Sequence, residues 1–188
     1  MRNRQLSAGT SELAVDYFSS ERTVHWMGGV SHANFLDVMD EIKGLMSRPL
    51  EPINLIVTSA GGPTGIAMSF YDSMRKMYRP YLRTVGSGDV DSSGVIVFLS
   101  GTERYITSNT TMLLHLAGRM FDGSRRYTVP DMEAIIKEDK LKDFQYASVI
   151  AENSDGRLTA SRVLDMMAAN TILTSLEAVE LGIAHKVL

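Results

Sequence analysis

The run Ile53-Asn54-Leu55-Ile56-Val57 constrains this chain most, because near-continuous apolar, β-branched character suits a strand covered on both faces. Such strands belong to parallel sheets, and parallel neighbours must be joined by a crossover, usually a helix. Ser59-Ala60-Gly61-Gly62-Pro63 stops the run, and Ile66, Ala67, Phe70, Met74 and Met77 then recur at helical spacing until Pro80. Leu82-Arg83-Thr84-Val85-Gly86 reads as the next strand, which completes a βαβ unit and predicts an α/β fold of stacked layers.

The flanking sequence extends the pattern. Residues 1–12 read as a flexible N-terminal arm, and residues 13–188 as a single domain, since 188 residues with 44% apolar content suit one core. Val24 to Met27 reads as a short strand turned by Gly28-Gly29, and His32 to Met46 as a helix with Phe35, Val38, Met39, Ile42, Leu45 and Met46 on its apolar face. Ser92 opens an apolar helix, Val95 to Leu99, and Glu103 to Ile106 and Thr111 to His115 return as strands. A helix from Asp131 to about Glu152 carries Lys137-Glu138-Asp139-Lys140 and is too long and polar to lie wholly in a core. Thr159 is placed to cap the next helix and Ser175 the one after it, ahead of a final strand from Ala184 to Leu188.

Composition narrows the functional classes. A net charge of -3 offers no basic stripe for a phosphate backbone, so no nucleic-acid partner is expected. The absence of cysteine removes disulfides, thiolate metal sites and a cysteine nucleophile. The four histidines share no ligand spacing with nearby carboxylates, so neither a metal nor another cofactor is expected. Gln5 to Glu12 is polar, unlike the core of a signal peptide, and the longest apolar stretch, Val95 to Leu99, is far short of the roughly 20 residues that cross a bilayer. The expectation is a cytoplasmic protein that does not enter the membrane. The Gly61-Gly62 turn lacks the Lys-Ser/Thr of a nucleotide-binding loop, which disfavours ATP.

The chemistry concentrates at Gly88-Asp89-Val90-Asp91-Ser92-Ser93-Gly94, where a polar turn becomes an apolar helix. A serine there sits at the positive end of a helix dipole and could act as a nucleophile, although Ser92 or Asp91 could equally serve only as a helix cap. His115 ends an apolar strand, at the edge where open α/β sheets place their ligands. The amides of Gly62, in a Gly-Gly turn, and of Ser93, just after the candidate nucleophile, could receive an oxyanion.

These residues carry a family resemblance. From about Val24 to Leu188 the chain resembles ClpP, the proteolytic subunit of Clp proteases, within the larger ClpP/crotonase fold. Ser59-Ala60-Gly61-Gly62 is similar to the family's Ser-Pro-Gly-Gly turn, and Phe70-Tyr71-Asp72-Ser73-Met74 to its Ile-Tyr-Asp-Thr-Met helix. Asp91-Ser92-Ser93-Gly94 stands where the family has Ala-Ser-Met-Gly, and Met112-Leu113-Leu114-His115 where it has a strand ending in Ile-His. Leu173 to Gly182 is similar to its Leu-Ser-Ala-Pro-Glu-Ala-Val-Glu-Tyr-Gly.

The resemblance implies stacked ββα units with a protruding handle helix, here about residues 119–153. It implies Ser92 as nucleophile, His115 as base, the Gly62 and Ser93 amides as oxyanion hole, and position 170 as the group that orients the base. It further implies a homo-oligomer, a heptameric ring or stacked double ring, that cleaves peptides or unfolded polypeptides and is fed by an AAA+ unfoldase or joined by a paralogous ClpP subunit. The family's orienting aspartate is Asn170 here, the arginine after it is Thr171, and the N-terminal arm is short. An amide can accept the histidine Nδ1-H but brings no charge to an imidazolium, so reduced turnover is expected.

Three readings fit these residues: a serine endopeptidase working through an acyl-enzyme; a weakly active or non-catalytic paralogue that builds or regulates a ring; and an acyl-CoA hydratase or isomerase of the crotonase fold. The last would use Asp89 or Asp91 and leave the serine and histidine without a role.

Overall fold

The computed structural model describes residues 18–48, 50–121 and 123–188. The N-terminal arm lies outside them. Five parallel strands form the main sheet in the order β1-β2-β3-β4-β7: β1 (Thr23–Met27), β2 (Ile53–Ser59), β3 (Leu82–Val90), β4 (Glu103–Ile106) and β7 (Lys186–Val187). The layered α/β fold with a parallel-dominated sheet is therefore the one expected. Leu55 and Val57 of β2 are fully buried, and the core runs from Trp26 and Phe70 to Phe98 and Ile106.

The sheet divides along β3. Its first half pairs with β4, Arg83 to Gly86 against Glu103 to Ile106, while Asp89 pairs with Thr111 of β5 (Thr111–Leu114). β5 is flanked in turn by the antiparallel β6 (Thr171–Thr174). A register shift between Val57 and Ser59 accompanies the divergence. Bulges of this kind bend a strand and re-aim the residues beyond the bend. The C-terminal ends of β2, β3 and β5, which run parallel, thus deliver Gly61-Gly62, Ser92 and His115 to one edge.

Helices α1 (His32–Leu45) and α2 (Thr64–Asp72) make the crossovers between the first three strands. Val38, Met39 and Ile42 are buried as the spacing requires. Met77 departs from its predicted face and is exposed, because α2 passes into a π-helical turn, Ser73–Tyr78, closed by Arg79 N-H donating to Met74 O at 3.1 Å. The wider turn puts the apolar stripe out of phase. Helix α3 (Ser93–Phe98) is wholly buried.

Helix α4 (Val129–Glu152) begins two residues earlier than expected, because Thr128 and Asp131 form a reciprocal capping box and Pro130 sits in the first turn. Its 24 residues span about 36 Å, and Ile136, Leu141 and Phe144 remain exposed along it. Thr159 caps α5 (Ala160–Ala168) as expected. Thr174, not Ser175, caps α6 (Ser175–Glu180), since its hydroxyl accepts from Glu177 N-H while the Glu177 carboxylate accepts from Thr174 N-H. The final strand shortens to Lys186–Val187, with His185 just before it. No helix among the described residues is long and apolar enough to cross a membrane.

Candidate active site

Ser92 occupies φ 53°, ψ -130°, a conformation that L-residues rarely adopt and that costs about 1–3 kcal/mol. Three main-chain bonds hold it there. Ser92 N-H donates to Leu113 O at 2.8 Å, Ser92 O accepts from Val95 N-H at 3.0 Å, and the Tyr146 hydroxyl donates to the same oxygen at 2.8 Å. Ser92 stands at the N-cap position of α3, but its side chain accepts no capping bond. The helix-cap role considered from sequence therefore does not explain this serine. Its backbone is strained while its hydroxyl, free of hydrogen bonds among the described residues, lies beside a cleft of about 460 Å³ that it lines together with His115, Gly62 and Arg119.

The adjacent Ser93 is buried, and its hydroxyl is committed to Gly62 O at 2.9 Å. That bond ties the glycine turn after β2 to the helix beyond the elbow. The turn comes close: a Cβ on Gly61 would lie 2.6 Å from Ser92 Cβ and 3.1 Å from its Oγ. Only glycine fits there. The amides of Gly62 and Ser93 donate to no other group among the described residues. Two unspent N-H groups beside a free hydroxyl can receive an anionic oxygen.

Asp91 turns its carboxylate into the structure, where Oδ1 accepts from Leu113 N-H at 2.9 Å. With the Ser92 bond to Leu113 O, the elbow thus engages both peptide groups of one β5 residue. Burial raises the Asp91 pKa above its ordinary value, as does the neighbouring Asp89, while the Leu113 bond and the charge of His115 pull it down. Burial and the charge of Asp91 also hold the Tyr146 phenol protonated well beyond the usual tyrosine range.

His115 lies just past β5, half-buried, and its Nδ1 is 2.7 Å from Leu116 O. A carbonyl can only accept, so Nδ1 carries a proton, and whenever the ring is neutral Nε2 presents the lone pair. That tautomer suits a base. No hydrogen bond joins Ser92 Oγ to His115, although both line the cleft. Asn170 stands beside His115 in the antiparallel register, one residue beyond the Leu114–Thr171 pair, but no hydrogen bond joins the two. It sits exposed at φ 51° between α5 and β6, its side chain forms no hydrogen bond among the described residues, and it does not line the cleft.

Three contributors were not read from the sequence: the Ser93 hydroxyl, Tyr146, and Asp143, whose Oδ1 accepts from Ala117 N-H at 2.8 Å. Asp139, Asp143 and Tyr146 succeed one another at four and three residues, a spacing that lines one face of a helix and could have drawn attention to it.

The chain is 36% identical over 67 residues to the ATP-dependent Clp protease proteolytic subunit of Paracoccus denitrificans, covering 35% of this chain and 33% of that protein. It is 25% identical over 136 residues to the ATP-dependent Clp protease proteolytic subunit 4 of Rhodococcus jostii, covering 71% of this chain and 66% of that one. The matched region therefore spans less than two thirds of either curated relative. Among solved structures, an Asn-to-Asp mutant of ClpP1 from Listeria monocytogenes superposes with a TM-score of 0.77 at 22% identity, over 89% of this chain and 91% of that one, which shows a shared fold. The family model for Clp protease matches residues 8–188, nearly the whole sequence, and the chain belongs to that family.

Proposed function

We propose that the chain is a serine endopeptidase that cleaves peptides or unfolded polypeptides through an acyl-enzyme. The observation that carries this reading is the strained Ser92 elbow, whose free hydroxyl adjoins two undonated amides, Gly62 and Ser93, in the cleft that also holds His115. His115 Nε2 takes the Ser92 hydroxyl proton as Oγ attacks the scissile carbonyl, and the oxyanion settles between the two amides. The imidazolium then protonates the leaving amine, and water repeats the sequence on the ester, releasing the acid and restoring Ser92.

Residues 13–188 form a single functional domain in this reading, acting in the cytoplasm as a homo-oligomeric ring or double ring that encloses the sites. An AAA+ unfoldase supplies substrate, and a paralogous ClpP subunit is the other candidate partner. Membership of the Clp protease family supports these assignments.

A second reading, a subunit that builds or regulates a ring without turnover, is favoured by one observation: among the described residues neither Ser92 Oγ nor the Asn170 side chain is hydrogen-bonded to His115. No such observation favours acyl-CoA chemistry, since the Asp91 carboxylate is spent on Leu113 N-H. A fluorophosphonate probe with mass mapping on the assembled protein separates the first two. The peptidase reading expects an adduct on Ser92 and peptide hydrolysis that Ser92→Ala abolishes. An unlabelled Ser92, with Ser92→Ala indistinguishable in the assay, sinks it.

A further inference from the structure

The peptide group that joins Leu116 to Ala117 is bonded at both ends. Its carbonyl oxygen, Leu116 O, accepts from His115 Nδ1-H at 2.7 Å, and its amide, Ala117 N-H, donates to Asp143 Oδ1 at 2.8 Å. A carboxylate therefore stands one peptide group away from the imidazole, in line with it: Asp143, amide, carbonyl, Nδ1-H. Hydrogen bonds arranged in series polarise one another, so a negative charge at the amide end makes the carbonyl end a stronger acceptor. Asp143 makes no ion pair among the described residues, and its charge remains available to this amide.

The surrounding charges are otherwise engaged. Arg119, on the same segment, donates through Nε to Asp139 at 2.8 Å and through Nη2 to Glu138 at 2.5 Å, and Lys142 pairs with Glu138 at 2.6 Å. The Ala117 and Arg119 bonds dock the segment after His115 on α4, with Asp143 one turn along the helix from Asp139. Three residues on, Tyr146 reaches the Ser92 carbonyl. One helix face thus holds the base segment and the nucleophile turn together.

We propose that Asp143 is a positioning residue for His115, fixing its Nδ1-H tautomer and supporting the imidazolium through the Leu116-Ala117 peptide, the role that the resemblance gives to position 170. The inference rests on the peptidase reading for its consequence, but not for its geometry. At metal-bound histidines, removing the carbonyl or carboxylate that holds the second nitrogen costs about 10–100-fold in affinity or activity, and a partner one peptide further out is expected at the low end of that range.

The test combines ¹⁵N NMR of histidine-labelled, assembled protein, with His115 assigned from a His115→Gln spectrum, and steady-state peptide hydrolysis. Asp143→Asn, which keeps the shape and an acceptor oxygen, is expected to retain the Nδ1-H tautomer while kcat falls about tenfold and KM holds. Asp143→Ala is expected to lose the tautomer as well. The proposal is overturned by Asp143→Ala protein that keeps the Nδ1-H signature, by Asp143→Asn protein with native kcat, or by Asn170→Ala protein that loses the signature. A chain that hydrolyses no peptide and takes no label at Ser92 defeats the peptidase reading instead, and the tautomer still decides the relay.

Discussion

The Tyr146 hydroxyl donates to the main-chain carbonyl of Ser92 at 2.8 Å, across 54 residues of sequence and from a buried ring on α4. Tyr146→Phe removes the donor and keeps the ring. Val95 N-H still reaches the Ser92 carbonyl, so the expected loss is about 1 kcal/mol in urea unfolding. The strained φ at Ser92 loses one of its three restraints, and fluorophosphonate labelling is expected to slow several-fold more than the stability change explains. An unchanged labelling rate would show that the elbow does not depend on the helix.

Ser92 and Ser93 are adjacent, yet the structure separates their roles. Ser93→Ala deletes the bond to Gly62 O while leaving the Ser93 amide in place. Hydrolysis is expected to fall about fivefold, in line with roughly 1 kcal/mol for the lost bond, and the adduct is expected to remain on Ser92. Mass mapping that finds the probe on Ser93 in the native chain would reverse the assignment.

Gly62 sits at φ 154°, and a Cβ there would collide with the Val30 carbonyl. Gly62→Ala is expected to displace the turn and its amide, lowering kcat about 10²-fold or more, because one oxyanion donor is worth that much. Gly44, on the exposed side of α1 with open space around it, is the matching control. Gly44→Ala is expected to leave hydrolysis intact and to raise stability by about 0.5–1 kcal/mol. Equal activity losses in the two variants would refute the geometric argument.

Burial raises the Asp91 pKa above its ordinary 3.8, so ionising it costs the folded state more than the unfolded one. Its contribution to stability is greatest below pH 3.8 and declines as pH rises through the elevated folded value. Asp91→Asn keeps an acceptor for Leu113 N-H without the charge. The variant is expected to be more stable than the parent at pH 7, with an advantage that is flat near neutrality and shrinks as pH falls towards 3.8. Denaturant titrations at a series of pH values measure it; an advantage that grows on acidification contradicts the assignment.

Much of the architecture was legible because apolar spacing and turn residues agree. Ile53 to Val57 announced a buried parallel strand, and the stripe Val38, Met39, Ile42 announced the helix before it. Met77 and Thr174 were misread for local reasons: a π turn changed the phase of one helix, and a threonine one position earlier completed a capping box. At the candidate site, Ser92, His115 and the glycine turn could be picked out because each comes just after a strand end. The side chains that fix them could not. Tyr146 and Asp143 act from a helix whose contacts with the elbow and the base segment depend on tertiary packing rather than on any local pattern.

Leu113 gives its carbonyl to Ser92 N-H and its amide to the Asp91 carboxylate. Deuterium uptake at that single amide therefore reports on the turn opposite it: the Leu113 proton exchanges only when the elbow lets go of β5. A residue that performs no chemistry is in this way a gauge of how long the nucleophile stays cocked.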